Sequence, residues 1–337
     1  MSGMSRRSLL KTGGAVVCST VAARVATALG GTDGATTQAA PNAALAGTIT
    51  IGGDMKVNRI GFGAMRIAPG ETPGRPDPTL EEAVRALRRA VDLGVNFIDT
   101  ADVYGRGQGE ERIREALYPY PKGVVIATKG GWLRPSMDPS AWDGSPKHLR
   151  EACEASLKRL RLEHIDLYQY HIPDTKVPFE ESIGALTRLR QEGKIRHIGV
   201  SNVTLDQVKR ARKIVPIVSV QNRYNIAYRA SEEVLRYCDA EGLVFIPWAP
   251  LASETPDGQP PGPANNPAFD PPAGYQERLA QTEKQHGLNK YQGGIAWLMS
   301  HSKQILPIPG TTSVEHLEEN IAAGAVRYSS QEMKAIG

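Results

Sequence analysis

Residues 79–100 read TLEEAVRALRRAVDLGVNFIDT, and that stretch decides the fold. Thr79 and Glu82 make a capping box, and Leu80, Ala83, Val84, Leu87 and Val91 recur at helical spacing behind it. The helical spacing runs to Leu93, and 96–99 form a short apolar run that closes on Asp99. A helix feeding a short buried strand is half of a βα repeat. The alternation continues on both sides, with strands predicted at 59–62, 96–99, 124–128, 165–170, 195–200, 218–221, 243–247 and 305–308. Between them, 145–160 aligns Leu149, Cys153, Leu157 and Leu160, and 179–192 aligns Ile183, Leu186 and Leu189 before a stop at Gly193. Eight such units over about 290 residues predict an α/β fold, a (β/α)8 TIM barrel. Ahead of the first strand, 48–51 and 56–57 flank Gly52-Gly53-Asp54, a hairpin suited to plugging one barrel end. A doubly wound open sheet is the rival. It calls for a third glycine after Gly61-Phe62-Gly63, and that glycine is missing, while Gly105, Gly107 and Gly109 sit too far past a strand.

Composition excludes other classes. The 337 residues hold 40 Lys+Arg against 36 Asp+Glu, and no arginine-rich stripe is interleaved with aromatics, so no nucleic-acid partner is expected. No run of ~18 apolar residues occurs, so no stable membrane insertion is expected either. Cys18, Cys153 and Cys238 share no metal-ligand spacing and the histidines are scattered, which predicts no metal site. Residues 1–46 stand apart, with no aromatic side chain. Arg6-Arg7, a mildly apolar stretch at 12–23 and the small residues Ala26-Thr27-Ala28 follow in the order of an export signal. The paired arginines point to the twin-arginine machinery, a transient partner that carries folded proteins. Residues 29–46 read as a flexible linker and 47–337 as the barrel. Used as a signal, this segment sends the protein to the periplasm or beyond; with a true start near Met55 the protein stays in the cytoplasm.

The mouth of a barrel lies at the C-terminal ends of its strands. Asp99 closes the second predicted strand, with Tyr104 five residues on; Lys129 closes the third and His171 the fourth. Singly, each has an ordinary explanation in a cap, a solvated amine or a packed ring. Together they put a carboxylate, a phenol, an ammonium and an imidazole at one mouth. An ammonium beside a phenol is expected to lower its pKa, and a carboxylate holds the ammonium in place. Such a set suits proton donation to a carbonyl oxygen, with the imidazole orienting that oxygen.

With Gly61-Phe62-Gly63-Ala64-Met65, Gly199-Val200-Ser201-Asn202 and Pro307-Ile308-Pro309-Gly310-Thr311, this constellation resembles the aldo-keto reductases. The resemblance spans roughly 47–324. It implies a (β/α)8 barrel and reversible nicotinamide-dependent carbonyl reduction, with Tyr104 as proton donor, Lys129 and Asp99 as its tuning pair and His171 orienting the substrate. It also implies cofactor contacts at Gly63, Ala64, Met65, Ser201, Asn202, Gln221, Trp248 and Leu251, with Trp248 stacking on the nicotinamide. A helix N-terminus after Gly310, Thr311, Thr312 and Ser313, running through His316, Glu319 and Asn320, suits the adenosine phosphate. Gly310 and His316 stand where relatives often carry Lys and Arg, so NADPH is favoured over NADH by a narrower margin.

Two long loops roof the predicted mouth, 130–146 with Trp132, Met137 and Trp142, and 251–274. With Tyr224, the indoles Trp132 and Trp142 point to an aldehyde or ketone of apolar or aromatic character. A nicotinamide-binding sensor or regulatory subunit with little turnover is the second reading. A Schiff-base lyase ranks last, because Lys129 paired with Asp99 stays charged.

Overall fold

The structure, a computed structural model, describes residues 41–71, 76–136, 138–251 and 262–337. The predicted export signal and most of its linker lie outside these residues, as do Met137 and 252–261 of the mouth loops.

Among the described residues, seven strands form one parallel sheet in sequence order: β3 (Phe62–Gly63), β4 (Phe97–Asp99), β5 (Val125–Gly130), β6 (Ile165–Tyr170), β7 (Ile195–Ser201), β8 (Ile217–Arg223) and β9 (Val244–Trp248). The eighth predicted strand, 305–308, is an extended segment with a single parallel bridge, Ile305 to Phe245. Pro307 and Pro309 lack N–H groups, so the segment cannot carry a full ladder. It still joins the two edges of the sheet. Leu306 N–H donates to Phe245 O at 2.9 Å on one side, and Gly61 N–H donates to Pro307 O at 2.9 Å on the other.

Helix α1 (Leu80–Asp92) begins at the capping box of Thr79 and Glu82. It buries Ala83, Ala86, Leu87 and Ala90, while Leu80, predicted on that face, is exposed. Small alanines let the helix sit close to the sheet. Next come α2 (Gln108–Leu117), α3 (Pro146–Leu160), α4 (Phe179–Gln191), α5 (Leu205–Ile214) and α6 (Glu232–Glu241). The last four are α7 (Tyr275–His286), α8 (Lys290–His301), α9 (Val314–Ala323) and α10 (Ser330–Ile336). Cys153 in α3 and Cys238 in α6 are buried free thiols.

Packing starts slightly ahead of the predicted Gly47. A turn at Ala43–Ala46 is capped by the Asn42 side chain, and Ala43 N–H donates to Leu93 O at 2.8 Å. The hairpin follows, with β1 (Thr48–Ile51) antiparallel to β2 (Met55–Asn58). Its inward Ile49, Ile51, Met55 and Val57 pack on Phe97, Val125, Leu167, Val244 and Leu306. That apolar cluster closes the end of the barrel where the strands begin. The tight turn needs Gly52, at φ 64°, because a Cβ there would lie 2.5 Å from the His197 ring.

Candidate active site

At the opposite end, inward side chains stack in layers drawn from alternate strands. One layer holds Asp99 of β4, Gln169 of β6 and Gln221 of β8. Gln169 Nε2 and Gln221 Nε2 both donate to Asp99 Oδ2, at 3.0 and 2.8 Å. The other carboxylate oxygen takes Lys129 of β5, whose Nζ donates to Asp99 Oδ1 at 2.6 Å and to Thr100 O at 2.8 Å. Lys129 is fully buried, and burial lowers its pKa while Asp99 raises it. An ammonium enclosed this way is held by its anion, and the anion is fixed by two amides.

Tyr104 follows β4 on a short helical turn whose next residue, Gly105, has φ 56° and donates its N–H to Glu71 Oε1 at 2.8 Å. The Tyr104 ring centroid lies 5.3 Å from Lys129 Nζ and 6.0 Å from the His171 ring, edge-on to it. The four residues read from the strand ends therefore meet. The expected lowering of the phenol's pKa does not. Burial first, then the carboxylates of Asp99, Glu71 and Asp102, holds Tyr104 well above its usual value. Lys129 cannot offset them, because Asp99 already balances its charge at 2.6 Å.

His171 is buried, and burial together with Lys129 holds its pKa well below the usual imidazole value. Its Nδ1 is enclosed without a hydrogen-bond partner, and Trp132 stands edge-on at 4.7 Å between ring centroids. The imidazole is neutral, with one nitrogen donating and one accepting.

Sequence reasoning passed over the groups behind Tyr104. Asp102 has an enclosed, unpartnered Oδ1, and burial, then Glu110, pushes its pKa up to about 8. Glu110 on α2 is fully buried, accepting from Thr128 Oγ1 and Arg159 Nε at 2.6 Å each. Gln169 was also missed. Strand parity could have found it, since it lies two residues before His171 and so shares the inner face.

The predicted cofactor residues fall in two groups. In the first, Asn202 at φ 57° donates its Nδ2 to His171 O at 3.0 Å, and its Oδ1 accepts from Trp248 Nε1 at 3.0 Å. Ser201 and Gln221 are buried beside it, and Leu251 follows β9 half-buried. The indole of Trp248 is thereby fixed by its edge, with its half-exposed ring at the mouth. Gln221 has its nitrogen on Asp99, so its oxygen is the atom left to accept a hydrogen bond.

In the second group, Gly63 N–H donates to Pro309 O at 3.3 Å. A Cβ on Gly310 would come 2.2 Å from Gly63 O, so both backbones meet only because each is glycine. Ala64 is buried and Met65 half-buried on the turn after β3. Ser313 caps α9 by accepting from His316 N–H, and its own N–H donates to Thr311 Oγ1 at 3.1 Å. Thr312 is half-buried, His316 is exposed, Glu319 is half-buried and Asn320 is buried one turn on. A capped helix N-terminus beside the Gly63–Gly310 backbone contact fits a phosphate group.

The roof residues divide. Trp132 touches His171. Trp142 is buried under the loop with Ala141 and Ile172, and both indoles donate to Ser136 O, so Trp142 pins the loop down. Tyr224, expected at the mouth, does not reach it. It is fully buried, its hydroxyl donates to Glu232 Oε2 and meets His301 Nε2 at 2.9 Å, and its ring packs on Trp297 and Phe245. Gln221 points inward, so Tyr224, three residues on, points outward by the strand's two-residue period.

Comparison with known proteins identifies the family. The model of the aldo/keto reductase family matches residues 59–337. An uncharacterized oxidoreductase of Schizosaccharomyces pombe is 42% identical over 87% of this chain and 89% of its own. Pyridoxine 4-dehydrogenase of Escherichia coli is 37% identical over 86% and 96%. The crystal structure of an aldo-keto reductase from Klebsiella pneumoniae in complex with NADPH superposes with a TM-score of 0.68, at 27% identity, covering 86% of this chain and 93% of that one.

Proposed function

The chain belongs to the aldo/keto reductase family and is an oxidoreductase, and on that footing we propose that it reduces an aldehyde or ketone to the alcohol with NADPH, Tyr104 supplying the proton. The observation that carries this reading is the Tyr104 ring, set 5.3 Å from the Lys129 ammonium and 6.0 Å from the His171 ring.

A bound nicotinamide would supply the hydride. Ser201, Asn202, Gln221 and Trp248 would hold its ring, and Gly63, Gly310 and the start of α9 its phosphates; the Klebsiella relative with NADPH supports the choice of cofactor. Tyr104 keeps its proton in the resting site because burial and carboxylates disfavour the phenolate. When the carbonyl oxygen gains negative charge it becomes a stronger base than the phenolate, and the proton moves to it. Lys129 faces the ring as the phenolate forms, and Asp99 keeps that ammonium in register. His171, neutral, offers an N–H to the same oxygen without competing as an acid. Trp132 beside His171 shields this end of the pocket from water.

The test is a titration with NADPH and NADH followed by tryptophan quenching, then a panel of aldehydes and ketones. Cofactor oxidation on adding carbonyl compound supports the reading. Tight nucleotide binding without oxidation favours the sensing role, and no binding defeats the proposal.

We also propose that residues 1–46 direct export by the twin-arginine route. Fused to a folded reporter they should carry it across the membrane, and changing Arg6 and Arg7 to Lys should stop it. A reporter retained in both cases overturns this.

A further inference from the structure

Arg223 ends β8 on the inner side of the barrel. Gln221, two positions earlier, reaches Asp99 inside, so by strand alternation Arg223 shares that face one layer nearer the mouth. His171 stands in the same relation to Gln169 of β6. Only β7 separates the two strands, so the two inward side chains start about 10 Å apart.

Arg223 is 7% exposed. Its Nε is enclosed without a partner, and among the described residues its guanidinium makes no hydrogen bond or ion pair. Two rings flank it instead, with Cζ 4.3 Å from the Tyr228 centroid and 5.8 Å from that of Trp248. Rings fix the plane of a guanidinium but satisfy none of its five N–H donors. Nε is cut off from water without an anion while the two terminal nitrogens keep access to it, and burial lowers the pKa of the group. The site is also wired to the reacting centre. Trp248 pairs with Arg223 in register, donates to Asn202 Oδ1 at 3.0 Å, and Asn202 donates to His171 O at 3.0 Å.

We propose that Arg223 is the anion-recognition group of the substrate pocket, so that the preferred carbonyl compounds carry a carboxylate several bonds from the carbon that is reduced. This rests on the reductase reading above. The planar fork matches a carboxylate in two parallel N–H···O bonds, and the aromatic flanks suit a flat or short linker between the two groups. Nothing else among the inward groups described at this end is an unpaired cation, since Lys129 belongs to Asp99.

The probes are 4-formylbenzoate and its methyl ester, reduced by the full-length protein with NADPH. The wild type should favour the carboxylate by about 10- to 100-fold in kcat/KM, the range for a hydrogen-bonded charge. In Arg223→Gln the ratio should fall to near one, and in Arg223→Lys it should be intermediate, with the charge kept and the fork lost. No preference in the wild type, or a preference that survives Arg223→Gln, overturns the proposal. So does an equal loss on both substrates, which would make Arg223 a clamp for Tyr228 and Trp248. A tenfold weaker NADPH affinity in Arg223→Gln would assign the guanidinium to the cofactor and overturn it too. Terephthalate binding in the presence of NADP+, read by tryptophan quenching, separates the two claims. If neither aldehyde is reduced but terephthalate binds the wild type and not Arg223→Gln, the reductase reading fails and the anion site stands. Absence of terephthalate binding removes the anion site whatever the turnover.

Discussion

Lys129 Nζ lies 2.6 Å from Asp99 Oδ1, with the lysine fully buried and the aspartate 2% exposed. Removing only the carboxylate strands a buried ammonium. Asp99→Asn should therefore lose about 3–5 kcal/mol of stability by denaturant unfolding, and Lys129→Met in the same chain should restore much of it. Turnover in Asp99→Asn should fall about 10²-fold, because the ammonium that faces Tyr104 is no longer held. A single variant as stable as the wild type would contradict the pairing.

His171 is held well below the usual imidazole pKa by burial and by Lys129. It is neutral already at neutral pH and becomes protonated only in more acidic solution. The profile of kcat/KM should therefore show no histidine inflection across about pH 6 to 8. His171→Gln, which keeps an N–H, should retain more activity than His171→Leu, where a loss of about 10²-fold is expected.

Burial, and then Glu110, pushes the Asp102 carboxyl up to about 8 from the ordinary carboxylate value of about 3.9. Between those two values the folded state holds a proton that the unfolded state has lost, so the group costs stability as pH rises through that window. Above the folded value the cost is constant, and below the unfolded value it vanishes. Asp102→Asn should thus be neutral near pH 4 and more stable than the wild type by about 5 kcal/mol near pH 8. Denaturant midpoints at both ends of the range check this, and a gain independent of pH would refute it.

Most of this arrangement is legible in the chain because the barrel rule converts strand ends into a mouth. Asp99, Lys129 and His171 are found simply as the polar residues that close apolar runs. The failures have specific causes. Tyr224 was placed in the pocket by its nearness to β8, whereas the parity that aims Gln221 inward turns Tyr224 into the core against Trp297. The sequence shows Tyr104 only its one cationic neighbour, but desolvation and three carboxylates act on it, and Asp102 and Glu71 give no sign in sequence of converging there. The last barrel segment read as an ordinary strand from Ile305, Leu306 and Ile308, while the prolines between and after them restrict it to a few bonds on each side. In the sequence Arg223 looks like any cation at the end of a strand. Its lack of an anion is a three-dimensional fact.

The central claim is that the Tyr104 hydroxyl supplies the proton. Tyr104→Phe keeps the ring against Lys129 and His171 and removes only that hydroxyl. Single-turnover oxidation of bound NADPH by an accepted aldehyde should slow by about 10²–10⁴-fold in this variant, with NADPH affinity by tryptophan quenching within a few-fold of wild type. Turnover at the wild-type rate would contradict the assignment and move the proton donor elsewhere in the site.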